Sequence, residues 1–285
     1  MSAFVLWAGV MAFSLSASML VPENSIPEGT ARTKLSPEKV FLYQPETEWT
    51  YSHHPAITFF DGKFLAIWSN GRVDEDAPGQ RVLISTSEDF THWSAPKPLL
   101  DSMQGESGEA VLTAAGFHQY EGTLVAYAGR YEYAPQSAKD ASRPDSDTQH
   151  RNTTLLAMTT TDGESWTPPV DLKLPIVPNH PPQATRSGRL IISGNISYPY
   201  TDDPKGLSGW KMTGIYPPDM LPALFDDSEG FWLVQKRMGW PVGLCEGSFF
   251  QTDDGILLMM LRSGTDRLWV TERTDNGTTW SEPRA

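Results

Sequence analysis

The stretch TTDGESWTPP at residues 160–169 follows an apolar, strand-like run, and two related stretches lie at residues 87–96 and 275–283. All three contain an Asp, then a Ser or Thr, then a Trp and a Ser/Thr-x-Pro sequence. Asp and hydroxyl side chains close tight turns by hydrogen bonding to nearby backbone groups. We therefore predict that each stretch is a turn at a strand end, with its Trp filling the gap between neighbouring sheets.

Four glycine-containing pairs, at 61–62, 121–122, 187–188 and 254–255, each join two apolar runs. Pairs such as Asp61-Gly62 favour β-hairpin turns, because Gly accepts a positive φ. The pairs are spaced 60, 66 and 67 residues apart. A third strand is predicted after each hairpin, at residues 81–86, 153–159, 231–236 and 267–272.

Four-stranded units that recur about every 65 residues are typical of propeller blades. The predicted fold class is therefore all-β, a β-propeller with about four blades in residues 50–285, preceded by a lead-in segment at 19–49. An open stack of four blades leaves sheet faces and edges unpaired. We therefore expect the ring to be incomplete at the C-terminal end of this sequence.

Composition narrows the function further. A net charge of −13 argues against nucleic acid as a partner. The single Cys245 excludes an internal disulfide. Residues 1–18 are an apolar run followed by small residues, as in a secretory signal, which predicts a secreted, periplasmic or cell-surface protein. We expect no membrane span, cofactor or metal, and the oligomeric state is left open.

Propeller geometry predicts which polar residues share one face. The links between blades and the loops between the second and third strands emerge at the same end, here called the mouth, opposite the hairpin turns. The mouth is expected to contain residues 51–54, 70–76, 106–109, 130–133, 179–180, 245–247 and 262–263. Arginines, carboxylates, tyrosines and histidines that converge in one opening can bind a sugar and move protons.

The Asp turns resemble the Asp-box (BNR repeat) of the sialidase superfamily, and three copies in register make the resemblance specific. It extends from about Thr50 to the end of the sequence. The resemblance implies a propeller of about six or seven blades in the full protein. Glu246, followed by Asp254-Gly255 and Arg262, looks like the segment that in sialidases carries a Glu and a carboxylate-binding Arg.

The first sialidase arginine is missing from this chain. His53-His54-Pro55 stands in its place, followed by Asn70-Gly71-Arg72 and a loop with Asp74 and Asp76, where sialidases carry an acid/base Asp. The sequence is thus most similar to sialidase-like proteins with His-His-Pro at this position. Imidazole does not reproduce the bidentate grip of a guanidinium group on a carboxylate.

These matches assign roles to ten side chains. The predicted catalytic residues are His53, His54, Asp74, Asp76, Glu246 and Tyr131. The predicted substrate-binding residues are Arg72, Arg130, His180 and Arg262. The resemblance implies a secreted glycoside hydrolase that removes a terminal acidic sugar from an oligosaccharide or polysaccharide.

Two other functions stay open. The protein could be a lyase of uronate polymers that uses His53 or His54 with Tyr131 as acid and base, or a non-catalytic carbohydrate-binding propeller. Arg72 and Arg262 also have an alternative, purely structural role, which is to form ion pairs within the protein. Because neighbouring residues in a regular strand point to opposite faces, we also expect the rings of His53 and His54 to point apart.

Overall fold

The computed structural model describes residues 36, 38–133, 150–217, 230–241 and 243–285. Within the compact unit Phe41–Ala285, four antiparallel sheets follow one another along the chain, and we call them blades 1 to 4. Blades 1 and 2 contain β1 (Tyr51–Phe60), β2 (Lys63–Gly71), β3 (Arg81–Ser87), β4 (Lys97–Leu100), β5 (Val111–Tyr120), β6 (Thr123–Tyr133), β7 (His150–Thr160) and β8 (Val170–Asp171).

The later blades are less regular. They contain β9 (Gln183–Ala184), β10 (Leu190–Ile191), β11 (Tyr200–Thr201), α1 (Gly230–Met238), β12 (Cys245–Gln251), β13 (Leu257–Arg262) and β14 (Trp269–Arg273). Each blade is a meander of neighbouring strands. The predictions of an all-β fold and of four hairpin repeats are confirmed. Within the described residues no helix is long and apolar enough to span a membrane.

The third strand of blade 3 was predicted wrongly. Residues 231–236 lie in helix α1, and the strand position is taken by β11. The backbone of Tyr200 exchanges hydrogen bonds with Lys211, and the Tyr198 N–H donates to Thr213, so a fourth, irregular strand follows directly. Blade 3 is therefore complete before the chain reaches the helix.

Helix α1 ends in a defined cap. The Trp240 N–H donates to the Gln235 carbonyl at 3.0 Å and the Gly239 N–H to the Lys236 carbonyl at 3.2 Å. Gly239 has φ +69°, which a glycine adopts without strain. The Gln235 side chain is buried and bonds the N–H and carbonyl of Leu244, tying the helix to the start of blade 4. The Gly-Trp-Pro sequence at 239–241 therefore ends a helix. It does not form an Asp turn of the kind that follows the third strands of the other blades.

Apolar cores join neighbouring blades. Side chains of β2, β3, β5 and β6 pack between blades 1 and 2, and a second cluster lies between blades 2 and 3. The largest cluster lies between blades 3 and 4. Trp166 and Trp280, from two of the predicted turns, pack against the first and the third of these clusters, and Trp210 packs against the second. The prediction that turn tryptophans fill gaps between sheets is confirmed for Trp166 and Trp280, whereas Trp93 belongs to none of these clusters and contacts Phe90.

Blade 3 contains an Asp turn that sequence inspection missed. Asp203 accepts hydrogen bonds from three backbone N–H groups and from the Ser208 hydroxyl, and its own N–H donates to Thr201. The Trp210 indole donates to the Gly206 carbonyl at 3.1 Å, as the Trp93 indole does to Phe90 in blade 1. The order Thr-x-Asp, then Ser, then Trp is preserved at 201–210, but Trp210 lies seven positions after Asp203, whereas Trp166 lies four after Asp162, and this longer spacing hides the match.

The innermost strands carry a repeated irregularity. The register of β1, β5 and β12 shifts between residues 53 and 56, 114 and 117, and 245 and 248. Each shift is a β-bulge that contains one residue with positive φ: His54 (+49°), Gly116 (+85°) and Glu246 (+52°). A bulge re-aims the side chains around it. The inner strands of three blades therefore each redirect their side chains at a bulge in the first half of the strand.

We predict that Asp203→Ala lowers the free energy of unfolding by about 1 kcal/mol. This value takes into account that the Asp203 side chain is partly exposed and that solvent screens its charge. Burial alone would raise the pKa of Asp203, but the Ser208 hydroxyl and three backbone N–H groups lower it. The carboxylate therefore stabilises the fold above its ordinary pKa near 3.8, and the effect disappears as the pH falls through the lowered value.

Urea unfolding at pH 7 and at pH 3 measures this contribution. Lys205→Ala is the matched control, because only the backbone of Lys205 takes part in the turn. Equal stability of Asp203→Ala and the control at pH 7 would contradict the structural role of the turn.

Candidate functional site at the propeller mouth

The mouth is held together by contacts between blades. The first residues of β1, β5 and β12 pair with the last residues of β2, β6 and β13, which places one end of each sheet at the same face. The Tyr133 hydroxyl donates to the Asp76 carbonyl at 2.9 Å, joining blades 2 and 1. His180 Nε2 lies 2.7 Å from the Gly247 carbonyl, joining blades 3 and 4.

His53 and His54 lie side by side. Their ring centroids are 3.6 Å apart, and the rings are tilted by 38°. The expectation that they point to opposite faces is wrong, because the bulge at His54 breaks the alternation of the strand. The bulge therefore turns both imidazoles toward the mouth.

The two imidazoles differ in their surroundings. Burial and the neighbouring His53 lower the pKa of His54 to about 4, so His54 is uncharged at neutral pH. Its Nδ1 is buried and has no hydrogen-bond partner among the described residues. His53 Nδ1 lies 3.3 Å from Glu75 Oε2, close enough for an ion pair when the ring is protonated. His54 is thus a neutral proton acceptor, and His53 a histidine beside a carboxylate.

Asp76 faces this pair from the loop after β2. Burial raises the pKa of Asp76, although the nearby Tyr131 hydroxyl opposes the rise. Tyr131 is 1% exposed, and burial together with the charge of Asp76 raises its pKa well above 10. The Tyr131 ring stacks on His150 at 4.0 Å. Asp76 can therefore hold a proton to a higher pH than an ordinary Asp, whereas Tyr131 is a poor base.

Two of the predicted substrate-binding arginines form ion pairs with carboxylates of the protein itself. Arg72 makes a bidentate pair with Glu109, with Nη–Oε distances of 2.7 and 3.1 Å. Arg130 Nη2 lies 2.6 Å from Glu132 Oε1, and its Nη1 donates to the Asn152 carbonyl at 3.0 Å. Both guanidinium groups satisfy carboxylates of this chain.

A predicted ion pair of blade 4 also forms. Arg262 Nε lies 2.8 Å from Glu246 Oε2, and Nη2 donates to Cys245 Sγ at 3.2 Å. The pKa of Arg262 is raised chiefly by Cys245, with further contributions from the charges of Glu246 and Glu75. Because Glu75 belongs to blade 1, this contribution means that side chains of blades 1 and 4 are close enough to interact electrostatically.

The remaining predicted residues are bonded locally. Asp74 Oδ1 accepts the Glu75 N–H at 2.9 Å. His180 contacts the Pro181 and Gly247 carbonyls through its two ring nitrogens, a position that suits a link between blades.

The structure brings one subset of the predicted residues together. His53, His54, Asp76 and Tyr131 form one cluster, and Glu246 and Arg262 face it from blade 4. Arg130 lines a separate cleft of about 600 Å³ with Met103, Glu106 and Lys173 among others. Arg72, Arg130 and His180 are committed to contacts within the protein.

Three residues of this region were missed. Glu75 lies between His53 and Arg262, Tyr133 joins blades 1 and 2, and Glu132 is a buried partner of Arg130. All three lie in polar segments that the sequence analysis assigns to the mouth. Composition alone, however, does not show which carboxylate of residues 74–76 contacts the histidines. Among the described residues, no group of three His, Cys, Asp or Glu side chains is arranged to hold a metal ion.

Comparison with known families gives one clear match. The sequence pattern of the BNR repeat-like domain matches residues 62–285, more than half of the chain. No curated protein matches the sequence significantly.

Solved structures share the fold at low identity. A protein of unknown function from Dyadobacter fermentans is 16% identical, with a TM-score of 0.56 over 85% of this chain and 71% of its own. Trypanosoma rangeli sialidase is 17% identical, with a TM-score of 0.53 over 80% of this chain. The NanB sialidase of Streptococcus pneumoniae is 14% identical, with a TM-score of 0.54 over 87%. The chain spans 37% and 53% of these two sialidases, so the likeness establishes a sialidase-like propeller fold.

The buried pair at Arg130 gives a stability prediction. Glu132 is inaccessible to solvent and also accepts the Ser107 N–H at 2.6 Å. Removing one partner of such a pair leaves a buried charge uncompensated, so Glu132→Ala should lower the free energy of unfolding by about 2–3 kcal/mol. Glu106→Ala, on the same face but exposed, should change it by less than about 0.5 kcal/mol. Urea unfolding of both variants at pH 7 checks this, and similar losses would refute it.

The bulge gives a second prediction. His54 has φ +49°, where a side chain costs about 1–2 kcal/mol that glycine avoids. His54→Gly should therefore be about 1 kcal/mol more stable than His54→Ala. At Ser52, which pairs regularly with Asn70, the order should reverse by about 0.5–1 kcal/mol. Thermal unfolding of the four variants measures both differences, and the same order at both positions would exclude a strained bulge.

Proposed function

Because the chain belongs to the BNR repeat-like family, we propose that it is the carbohydrate-cleaving part of a glycoside hydrolase whose site is the propeller mouth. Sialidases share its fold, although at identities that establish the fold alone. The observation that carries the proposal is Asp76, a carboxyl group with a raised pKa beside the paired imidazoles of His53 and His54. A carboxylic acid that keeps its proton to a higher pH than an ordinary Asp is suited to protonate a leaving sugar oxygen.

The other side chains of the mouth fit the same chemistry. Glycoside hydrolysis uses two carboxyl groups of different protonation state. We assign the acid role to Asp76 and the role of the second carboxyl group to Glu246, whose Oε2 lies 2.8 Å from Arg262 Nε. His54, uncharged and without a hydrogen-bond partner at Nδ1 among the described residues, is placed to hydrogen-bond a sugar hydroxyl.

The two alternatives are supported less well. A uronate lyase would use His53 or His54 with Tyr131 as acid and base, but Tyr131 is 1% exposed, which keeps its hydroxyl away from a polymeric substrate. A binding module would not need an Asp with a raised pKa at the mouth. Export from the cell stays part of the proposal on the N-terminal sequence alone, because residues 1–18 lie outside the described residues.

We predict that Asp76→Asn lowers kcat on a cleavable glycan by about 10²–10⁴-fold, because the amide cannot donate the proton. The measurement is the release of reducing ends from a panel of neutral and acidic glycans. The control is Glu88→Gln, an exposed residue of an Asp turn at the opposite end of blade 1.

The pH profile gives an independent readout. Since the acid form is required, activity should fall as the pH rises through the raised pKa of Asp76. Asp76→Asn should lose this limb while keeping the folded-state melting temperature. Full activity of Asp76→Asn would rule out this acid, and product with an unsaturated uronate absorbance would establish the lyase instead.

A further inference from the structure

We propose that the sugar unit bound at the mouth carries no carboxylate, in contrast to the acidic sugar that the family resemblance suggests. This inference names the substrate class of the site and rests on the proposed function. It follows from the charges that face the opening, which leave little positive potential for a second anion.

The cations of the region are already neutralised by the chain itself. Arg72 is bound bidentately by Glu109, whereas Arg130 and Arg262 each make a single carboxylate contact, with Glu132 and Glu246 respectively. At Arg72 a substrate carboxylate would have to displace Glu109, with loss of a charge-assisted pair. At Arg262 it would approach a guanidinium group that already carries the neighbouring negative charge of Glu246.

The position in blade 1 that matches the first sialidase arginine carries no cation that could replace that arginine. His54 stands in the inner strand where sialidases have an arginine nearby, and its ring is uncharged at neutral pH. Among the described residues, the charged group that contacts the ring of His53 is Glu75, an anion. An incoming carboxylate would meet the same Glu75 at close range.

One carboxylate, Glu75, lies beside His53 without an arginine or lysine in contact among the described residues. Glu75 is exposed and influences Arg262 only at a distance, whereas burial raises the pKa of Asp76, which therefore adds less negative charge. Like charges brought together at a binding site weaken binding strongly. The mouth therefore discriminates against a carboxylated sugar electrostatically, by an effect that salt should screen.

The same groups suit a neutral sugar. Carboxylates are hydrogen-bond acceptors only, and a hydroxyl-rich sugar supplies the donors they need. The adjacent, tilted rings of His53 and His54 give an aromatic surface beside these acceptors. A site with a few convergent polar groups on an aromatic surface is typical of small-ligand binding. A neutral hexose or deoxyhexose is the ligand class that satisfies both features.

The test compares glycans that differ in one charge. Sialylated and uronate-containing oligosaccharides are immobilised beside their carboxyl-reduced counterparts, in which the carboxylate has become a hydroxymethyl group. Binding of the full chain carrying Asp76→Asn is measured at low and high salt, so that no substrate is consumed. We expect the carboxyl-reduced or neutral glycans to bind at least about tenfold more tightly, with the ratio shrinking at high salt.

Glu75→Gln separates the mouth from the rest of the surface. It should reduce the preference several-fold, whereas Glu88→Gln, with the same charge change at the opposite end, should leave it unchanged. Equal or tighter binding of the carboxylated glycans would overturn the inference, as would a complete lack of binding to any neutral glycan. Binding of neutral glycans that the native chain never cleaves would instead refute the proposed hydrolase and leave the charge preference standing.

Discussion

The β-bulge in the innermost strands is the constraint on which the site depends. In blades 1 and 4 it places His54 and Glu246, both with positive φ, at equivalent positions beside the mouth. A regular strand would send one of each neighbouring pair of side chains into the sheet packing instead. The strained backbone is tolerated because apolar cores on both sides of blades 2 and 3 fix the positions of the sheets.

Charge pairing gives the mouth its chemical character. Arginines that a sialidase-like site would use for its ligand are held by carboxylates of this chain, such as Glu109 for Arg72. What is left facing the opening is a neutral imidazole, a carboxyl group with a raised pKa and the exposed Glu75. The fold is thus that of sialidases, while the arrangement of charge differs from one designed to hold an anion.

Much of the architecture could be predicted from the sequence, because hairpin and Asp turns depend on local hydrogen bonds. Blade 3 is mispredicted for two reasons: its Asp turn at 201–210 has a longer spacing between Asp and Trp than the other turns, and residues 231–236 are apolar enough to suit a strand or a helix. His53, His54, Asp76 and Tyr131 lie close together whereas Arg130 lines a separate cleft, and the roles assigned to the candidate residues stay predictions. Their partners were not predictable from the sequence. The contact of Arg130 with Glu132 and the effect of Glu75 on Arg262 depend on strand register and on contacts between blades, which no local sequence pattern encodes.

A crystal structure of Asp76→Asn bound to an oligosaccharide tests the central claim most directly. The account predicts a sugar ring in the mouth, in contact with His54 and facing Glu246 and Arg262 from the opposite blade. A sugar bound only at the Asp-turn end of the blades, or only in the cleft beside Arg130, would contradict it.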